Sequence, residues 1–98
     1  FELPPDEQIM LTGNGISTQV LTCDVEHNGT DNHCLMNFIS ANNTSIINDL
    51  IMPEGTISSL CFPANQKNDI TFELDAGAKL GITNTSSELV RLSCVQVR

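Results

Sequence analysis

Residues 23–34, CDVEHNGTDNHC, combine two cysteines, two histidines and three carboxylates, all side chains that bind metal ions. From Asp24 onward, alternate positions offer carboxylate and amide oxygens, as in the first half of a calcium-binding loop of the EF-hand type. The twelfth position of such a loop needs a glutamate that binds with both oxygens, but here it is Leu35. We therefore predict no metal site, and the weak candidates for a loosely held cation are Asp24, Glu26, Asp31 and His33.

Zinc is the other metal that these residue types suggest. A structural zinc site collects four cysteine or histidine ligands and usually includes a C-x2-C pair, which this chain lacks. In a strand hairpin, His27 and His33 would lie on opposite faces. We therefore expect both histidines to be solvated, and we predict no cofactor.

Asn28-Gly29, at the centre of the same stretch, is a strong signal for a two-residue β-hairpin, because a type I′ turn needs positive φ at both loop positions. That hairpin would place Cys23 directly opposite Cys34, within the distance that a disulfide bond accepts. We rank this pairing first, with Cys61–Cys94 as the second bond. Four cysteines allow three pairings, so the alternatives stay open.

The chain has 98 residues, enough for a single domain over residues 1–98. Twelve acidic residues against four basic ones give a formal net charge of −8. Nucleic acid and anionic membranes are disfavoured as partners, because both are bound by clustered lysine and arginine. No apolar run approaches the length of a bilayer span, so we expect no membrane insertion.

Sequons for N-glycosylation and an even number of cysteines both indicate an oxidising, secretory compartment. We therefore expect a secreted or extracellular, disulfide-stabilised glycoprotein. The candidate glycosylation sites are Asn28, Asn42, Asn43 and Asn84.

Short apolar runs separated by turn residues predict an all-β domain. We expect a small antiparallel β-sandwich of about six to eight short strands with two disulfides. Residues 1–8 should form an extended N-terminal arm, and residues 89–97 the last strand. Residues 44–52 fit a short helix and a strand equally well, because their apolar residues also fall at helical spacing.

Two glycine-containing turns divide the second half of the chain. The turn at 75–77 predicts a hairpin that pairs Phe72 with Leu80 and puts the apolar residues of both strands on one face. The turn at 53–55 could join the segment before it to a strand over 56–62.

Two stretches resemble parts of an immunoglobulin-like domain. STQVLTCDV, around Cys23, is similar to strand B of that fold, and KLGITNTSSELVRLSCVQV is similar to its E–F region, with Glu88 as the acidic residue before the second cysteine. This chain lacks the family's tryptophan after the first cysteine, and Leu92 stands where the corner tyrosine belongs. The resemblance implies a β-sandwich with the disulfides Cys23–Cys94 and Cys34–Cys61.

The chain contains neither the G-x-S-x-G motif nor the H-E-x-x-H motif, and both histidines lie in one short segment, so we do not expect an enzyme. We expect a non-catalytic secreted or cell-surface module that binds an extracellular protein through edge strands or loops. The alternative is a small secreted effector or toxin of a fungus or other microbe, acting on a host or competitor.

Overall fold

The computed structural model describes residues 1–27, 33–63 and 67–97, with residues 33–35 described by their backbone. Within these ranges the chain forms ten strands and no helix. In chain order the strands are β1 (Glu2–Leu3), β2 (Gln8–Thr12), β3 (Gln19–Glu26), β4 (His33–Asn42), β5 (Ser45–Ile47), β6 (Leu50–Met52), β7 (Ile57–Pro63), β8 (Asn68–Leu74), β9 (Lys79–Asn84) and β10 (Val90–Gln96).

The strands form two antiparallel sheets. The six-stranded sheet has the order β1-β10-β3-β8-β5-β6, and the four-stranded sheet has the order β2-β9-β4-β7. Buried side chains from both sheets form one apolar core, in which the rings of Phe38 on β4 and Phe72 on β8 lie 5.9 Å apart. The predicted all-β antiparallel fold is confirmed, with more strands in the described ranges than expected.

The predicted N-terminal arm begins with β1 of the six-stranded sheet and ends at Gln8, the first residue of β2 in the four-stranded sheet. Leu3 is fully buried and pairs with Val90 of β10. The α-ammonium group of Phe1 donates to the carbonyl oxygen of Leu92 at 2.6 Å, and the Leu92 amide donates to the Phe1 carbonyl at 2.8 Å. The predicted final strand is confirmed as β10, with Val90 and Leu92 on its buried face.

Both predicted glycine turns are present. The turn at 53–55 joins β6 to β7 as expected, whereas the turn at 75–77 does not make the predicted hairpin. Gly55 and Gly77 have positive φ, and each turn carries the chain from the six-stranded sheet to the four-stranded one. Phe72 and Leu80 are therefore buried on facing sheets instead of being paired within one. The pairing prediction was wrong because alternating apolar residues identify the buried face of a strand but not the strand beside it.

Residues 44–52 form strands, so the helical alternative is wrong. Ile47 of β5 lies opposite Leu50 of β6, which leaves Asn48 and Asp49 as a two-residue loop with φ of 47° and 70°. Positive φ at both positions defines a type I′ turn, and Asn and Asp tolerate that conformation better than most residues. In the sequence, Asn28-Gly29 was the stronger signal for a type I′ hairpin, but the described hairpin of this type is the one at Asn48-Asp49.

The predicted Asn28-Gly29 hairpin is also wrong. Its loop lies outside the described residues, but the flanking strands β3 and β4 belong to different sheets. β3 is an inner strand that pairs with β10 on one side and β8 on the other, so it has no edge left for β4. Residues 27–32 therefore connect the two sheets.

The disulfide bond joins Cys23 to Cys94, so the first-ranked pairing of Cys23 with Cys34 and Cys61 with Cys94 is wrong. The two bonded residues lie directly opposite each other on β3 and β10, with Cα atoms 4.0 Å apart. The bond is the first of the two that the immunoglobulin-like resemblance implies, although it lies within one sheet and not across the sandwich. The second bond of that set is not formed, because Cys61 carries a free, exposed thiol.

Candidate functional site

Charge is distributed unequally between the two sheets. The strands of the six-stranded sheet contain Glu2, Asp24, Glu26, Asp69 and Glu73. The strands of the four-stranded sheet contain none of the twelve carboxylates in the chain, and their charged residue is Lys79. An acidic protein thus presents one outer face built from strands without acidic side chains.

An apolar row crosses the outer face of the four-stranded sheet. The strand register places Met10, Gly81, Ile39 and Ile57 side by side on β2, β9, β4 and β7. Met10 is 47% exposed and Ile57 is 68% exposed, at the two edges of the sheet, while Ile39 is half-buried between them. Covering these apolar side chains with another protein surface is favourable, because it removes apolar area from water.

Because residue 81 is glycine, side chains from the neighbouring strands can cover the centre of this row. A Cβ atom there would lie 2.7 Å from Nε2 of Gln8 and 2.8 Å from Cγ2 of Ile39, closer than real contacts allow. The side chains of Gln8 and Ile39 therefore pack over the bare backbone of β9. A larger residue would push both outward and change the shape of the face.

A row of uncharged polar residues runs beside the apolar row. Gln8, Thr83, Asn37 and Ser59 occupy the neighbouring register position across the same four strands. The Ser59 hydroxyl donates to Oδ1 of Asn37 at 2.6 Å. Amides and hydroxyls that can both donate and accept suit a contact surface, since they are desolvated at lower cost than charges.

β7 forms one edge of this face and is the longest edge strand of the two sheets as described. The other edge strands are β1 with two residues, β6 with three and β2 with five, against seven in β7. Proteins usually protect an exposed edge with short length, charge or proline. β7 has no charged residue, and its proline, Pro63, is at the last position.

The outer face of the six-stranded sheet is different. Asp24 lies directly opposite Asp69 on the neighbouring strand, an unfavourable pair of like charges whose repulsion is small only where water screens both carboxylates. Arg91 lies 3.2 Å from Glu2 and 4.0 Å from Glu26, with all three side chains at least half exposed. Exposed pairs of this kind contribute little to stability, and this face is a solvated one.

The predicted metal candidates do not come together among the described residues. Asp24 is half-buried beside Asp69, and Glu26 is exposed near Arg91. Asp31 and the side chain of His33 lie outside the description. In the described ranges, no three side chains of histidine, cysteine, aspartate or glutamate are placed so that they could hold an ion.

His27 is buried, so the expectation that it is solvated was wrong. It continues the buried face of β3 after Cys23 and Val25 and is 1% exposed. Neither imidazole nitrogen has a hydrogen-bond partner in the described structure. The sequence did contain a signal for the burial of His27, because side chains alternate along a strand and positions 23, 25 and 27 share one face.

Of the four predicted glycosylation sites, Asn84 is the described one whose side-chain amide is fully buried and hydrogen-bonded through its nitrogen to two carbonyl groups. Its Nδ2 donates to the carbonyl oxygens of Leu3 and Glu88, both at 2.7 Å. An N-linked asparagine keeps a single N–H, so Asn84 could not carry a sugar and make both bonds.

The other sequons differ in accessibility. Asn43 is exposed, and its Nδ2 donates to the Ala76 carbonyl at 2.7 Å. Asn42 is half-buried and donates to the carbonyl of Gly77 at 2.9 Å. Asn28 lies outside the described residues. Asn43 is therefore the described site that best accommodates a glycan.

Comparisons with protein-family models, with curated proteins and with solved structures gave no match. The described part of the chain contains no helix with the length and apolarity of a membrane span. The immunoglobulin-like resemblance stays a prediction. The chemistry of the surface is therefore the basis on which function can be inferred.

Sequence reasoning missed the carboxylate-free face, although part of its signal was present. The segments that became β4, β7 and β9 each lack acidic residues, which is unusual in a chain of net charge −8. That these segments share one sheet depends on strand order, which the sequence did not disclose.

Proposed function

We propose that this chain is a non-catalytic, secreted or cell-surface module that binds another protein through the outer face and the β7 edge of the four-stranded sheet. The observation that carries this proposal is the absence of all twelve carboxylates from the strands β2, β4, β7 and β9. A solubilising surface has no need to exclude them, whereas a contact surface does.

The physical argument concerns desolvation. The centre of a protein–protein interface is depleted of charged residues, because a carboxylate that loses its water without a partner costs several kcal/mol. The row of Met10, Ile39 and Ile57 offers apolar surface, and Asn37 and Ser59 beside it offer hydrogen-bonding groups. The acidic remainder of the molecule keeps the protein soluble and disfavours contact elsewhere with other acidic proteins.

An extracellular location is supported by two features of the structure. The disulfide between Cys23 and Cys94 joins strands in the buried centre of the six-stranded sheet, and such bonds form and persist in oxidising compartments. The exposed sequon at Asn43 lies on the turn before β5, outside the β2, β9, β4 and β7 strands whose face we assign to binding. A glycan there would leave that face open.

The experiment compares two isoleucines that differ in their sheet. Ile57 on β7 is 68% exposed, and Ile51 on β6 is 65% exposed; both lie on edge strands. The wild-type chain and the variants I57D and I51D are immobilised, and proteins captured from extracellular fluid are compared with those captured by a reduced, unfolded control. We expect I57D to lose the specific partner and I51D to retain it, because the new carboxylate is buried in the contact in the first variant alone.

Equal melting temperatures of I57D and I51D would confirm that a difference in capture reflects the surface. Capture that is abolished by I51D and unaffected by I57D would contradict the assignment of the face. A wild-type chain that binds nothing beyond what the unfolded control binds, further copies of itself included, would overturn the proposal itself.

A further inference from the structure

The β7 edge carries free backbone groups that no described strand covers. Antiparallel ladders alternate, so that every second residue of an edge strand directs its N–H and C=O outward. The Ser40 amide donates to the carbonyl of Thr56 at 3.0 Å, so Thr56 is a residue whose backbone bonds to β4. Every second residue after it does the same, and these residues of β7 are Ser58, Leu60 and Phe62. The outward backbone groups therefore belong to Ile57, Ser59 and Cys61.

On the basis of the proposed function, we infer that the partner covering this edge is a second copy of the same chain, paired through β7 in an antiparallel, two-fold symmetric way. The two four-stranded sheets would then form one continuous sheet. An antiparallel pair of identical strands is related by a two-fold axis, so one edge supplies both sides of the contact.

Charge is the first reason for choosing a second copy as the partner. Each chain carries a net charge of −8, and two such chains repel each other wherever their carboxylates approach. The strands of the four-stranded sheet are free of carboxylates, so two copies can meet there without bringing strand carboxylates together. The distribution of charge therefore permits self-association through the edge of this sheet.

Protection of the edges is the second reason. β1 is two residues long and followed by Pro4 and Pro5, and β6 is three residues long and followed by Pro53. β2 is preceded by the acidic residues Asp6 and Glu7. β7 alone among the edge strands of the described sheets has neither short length nor adjacent charge, as expected for an edge that is covered in the functional protein.

The outward groups determine the register of the pair. If the two-fold axis passes at Ser59, then Ser59 lies opposite Ser59 of the second copy and Ile57 lies opposite its Cys61. This register uses every outward N–H and C=O of those three residues. A register centred on Cys61 would place Ser59 opposite Pro63, which has no N–H to donate.

The same register predicts how the free thiol behaves. Cys61 would face Ile57 of the second copy, and the two Cys61 residues would be separated by roughly 14 Å along the strands. The dimer would therefore be non-covalent, and Cys61 would contribute a small apolar side chain to the contact. Ser59 is the position at which two identical side chains come together.

The first test measures the oligomeric state of the 98-residue chain by light scattering and sedimentation over a range of protein and salt concentrations. We expect a dimer whose dissociation constant decreases as salt is added, because salt screens the repulsion between two acidic chains. The variant I57D should weaken dimerisation by about a hundredfold or more, while I51D should leave it within about twofold of wild type.

The second test locates the contact. In a C61S background, a short bismaleimide should cross-link S59C into a covalent dimer and should leave I51C, which is also an exposed position on an edge strand, as a monomer. The C61S protein without an added cysteine measures any cross-linking through Cys34. Equal cross-linking of S59C and I51C would overturn the β7 interface.

The outcomes separate this inference from the proposed function. A chain that stays monomeric at every concentration, while I57D still abolishes capture of a different protein, overturns the dimer and leaves the binding face supported. A monomer whose capture of other proteins is insensitive to I57D overturns both. A dimer that is disrupted by I51D and not by I57D overturns the dimer proposed here.

Discussion

Cys23 and Cys94 lie directly opposite each other on β3 and β10, with Cα atoms 4.0 Å apart, and their disulfide bond joins positions separated by 71 residues in sequence. It ties the third strand to the last, so it encloses most of the chain. A bond that closes so long a loop removes many conformations from the unfolded chain.

We expect the double variant C23A/C94A to lose about 3–4 kcal/mol of free energy of unfolding, because the unfolded state regains its freedom and the buried sulfur atoms leave a small cavity. Urea denaturation under non-reducing conditions measures the change. The control is C61A, which removes an exposed free thiol and should change stability by less than about 0.5 kcal/mol. Equal losses in the two proteins would show that the disulfide does not stabilise the fold in this way.

Asn84 should be the most important asparagine for stability. Its amide nitrogen donates to Leu3 on β1 and to Glu88 ahead of β10, and its Oδ1 accepts from the amide of Ser86 at 2.9 Å. The variant N84A leaves the buried carbonyl of Leu3 and the partly buried groups of Glu88 and Ser86 without these partners, and we expect a loss of about 2–4 kcal/mol in urea denaturation.

N42A is the matched control for N84A. Asn42 is half-buried, and its side chain donates to the carbonyl of Gly77, so the same substitution should cost about 1 kcal/mol or less. If N42A is as destabilising as N84A, the buried network around Asn84 does not have the role assigned to it.

Glycan occupancy should follow the hydrogen bonds of the asparagines. After expression through a secretory pathway, peptide mapping of the folded protein should find a glycan at Asn43 and none at Asn84. Asn43 keeps one N–H for Ala76 when the other hydrogen is replaced by sugar, whereas Asn84 needs both. The variant N43Q should remove the mass of the glycan from the peptide that contains residue 43. A folded protein with a glycan on Asn84 would contradict the buried geometry.

Replacing His27 with an apolar residue should stabilise the folded protein. The imidazole is buried without a hydrogen-bond partner in the described ranges, which is unfavourable for a polar group. We expect H27L to raise the free energy of unfolding by about 1 kcal/mol, measured by urea denaturation. H27Q keeps polar atoms at the same position and should give no gain, and a loss of stability in H27L would contradict this interpretation.

Some elements of the fold could be predicted because their cause is local. Val90 and Leu92 alternate with polar residues, and they are buried on one face of β10 as expected. Gly55 and Gly77 have the positive φ that glycine adopts at no steric cost. Each of these features depends on a few consecutive residues.

The pairing of strands could not be predicted in the same way. Phe72 and Leu80 fit a hairpin and a sandwich equally well, because both arrangements bury the same face of each strand. The Asn28-Gly29 signal for a hairpin was overridden because β3 already has β8 and β10 as neighbours. Strand partners are chosen by contacts that are distant in sequence, which local patterns do not contain.

The sequence by itself determined the chemical character of this protein: an acidic, aromatic-poor β domain with an even number of cysteines and several sequons. The tertiary structure decided which cysteines bond, which asparagine is buried and which strands share a sheet. The candidate binding face exists only at that second level. Its residues come from four separate segments, and the absence of carboxylates becomes a surface property when β2, β9, β4 and β7 lie side by side.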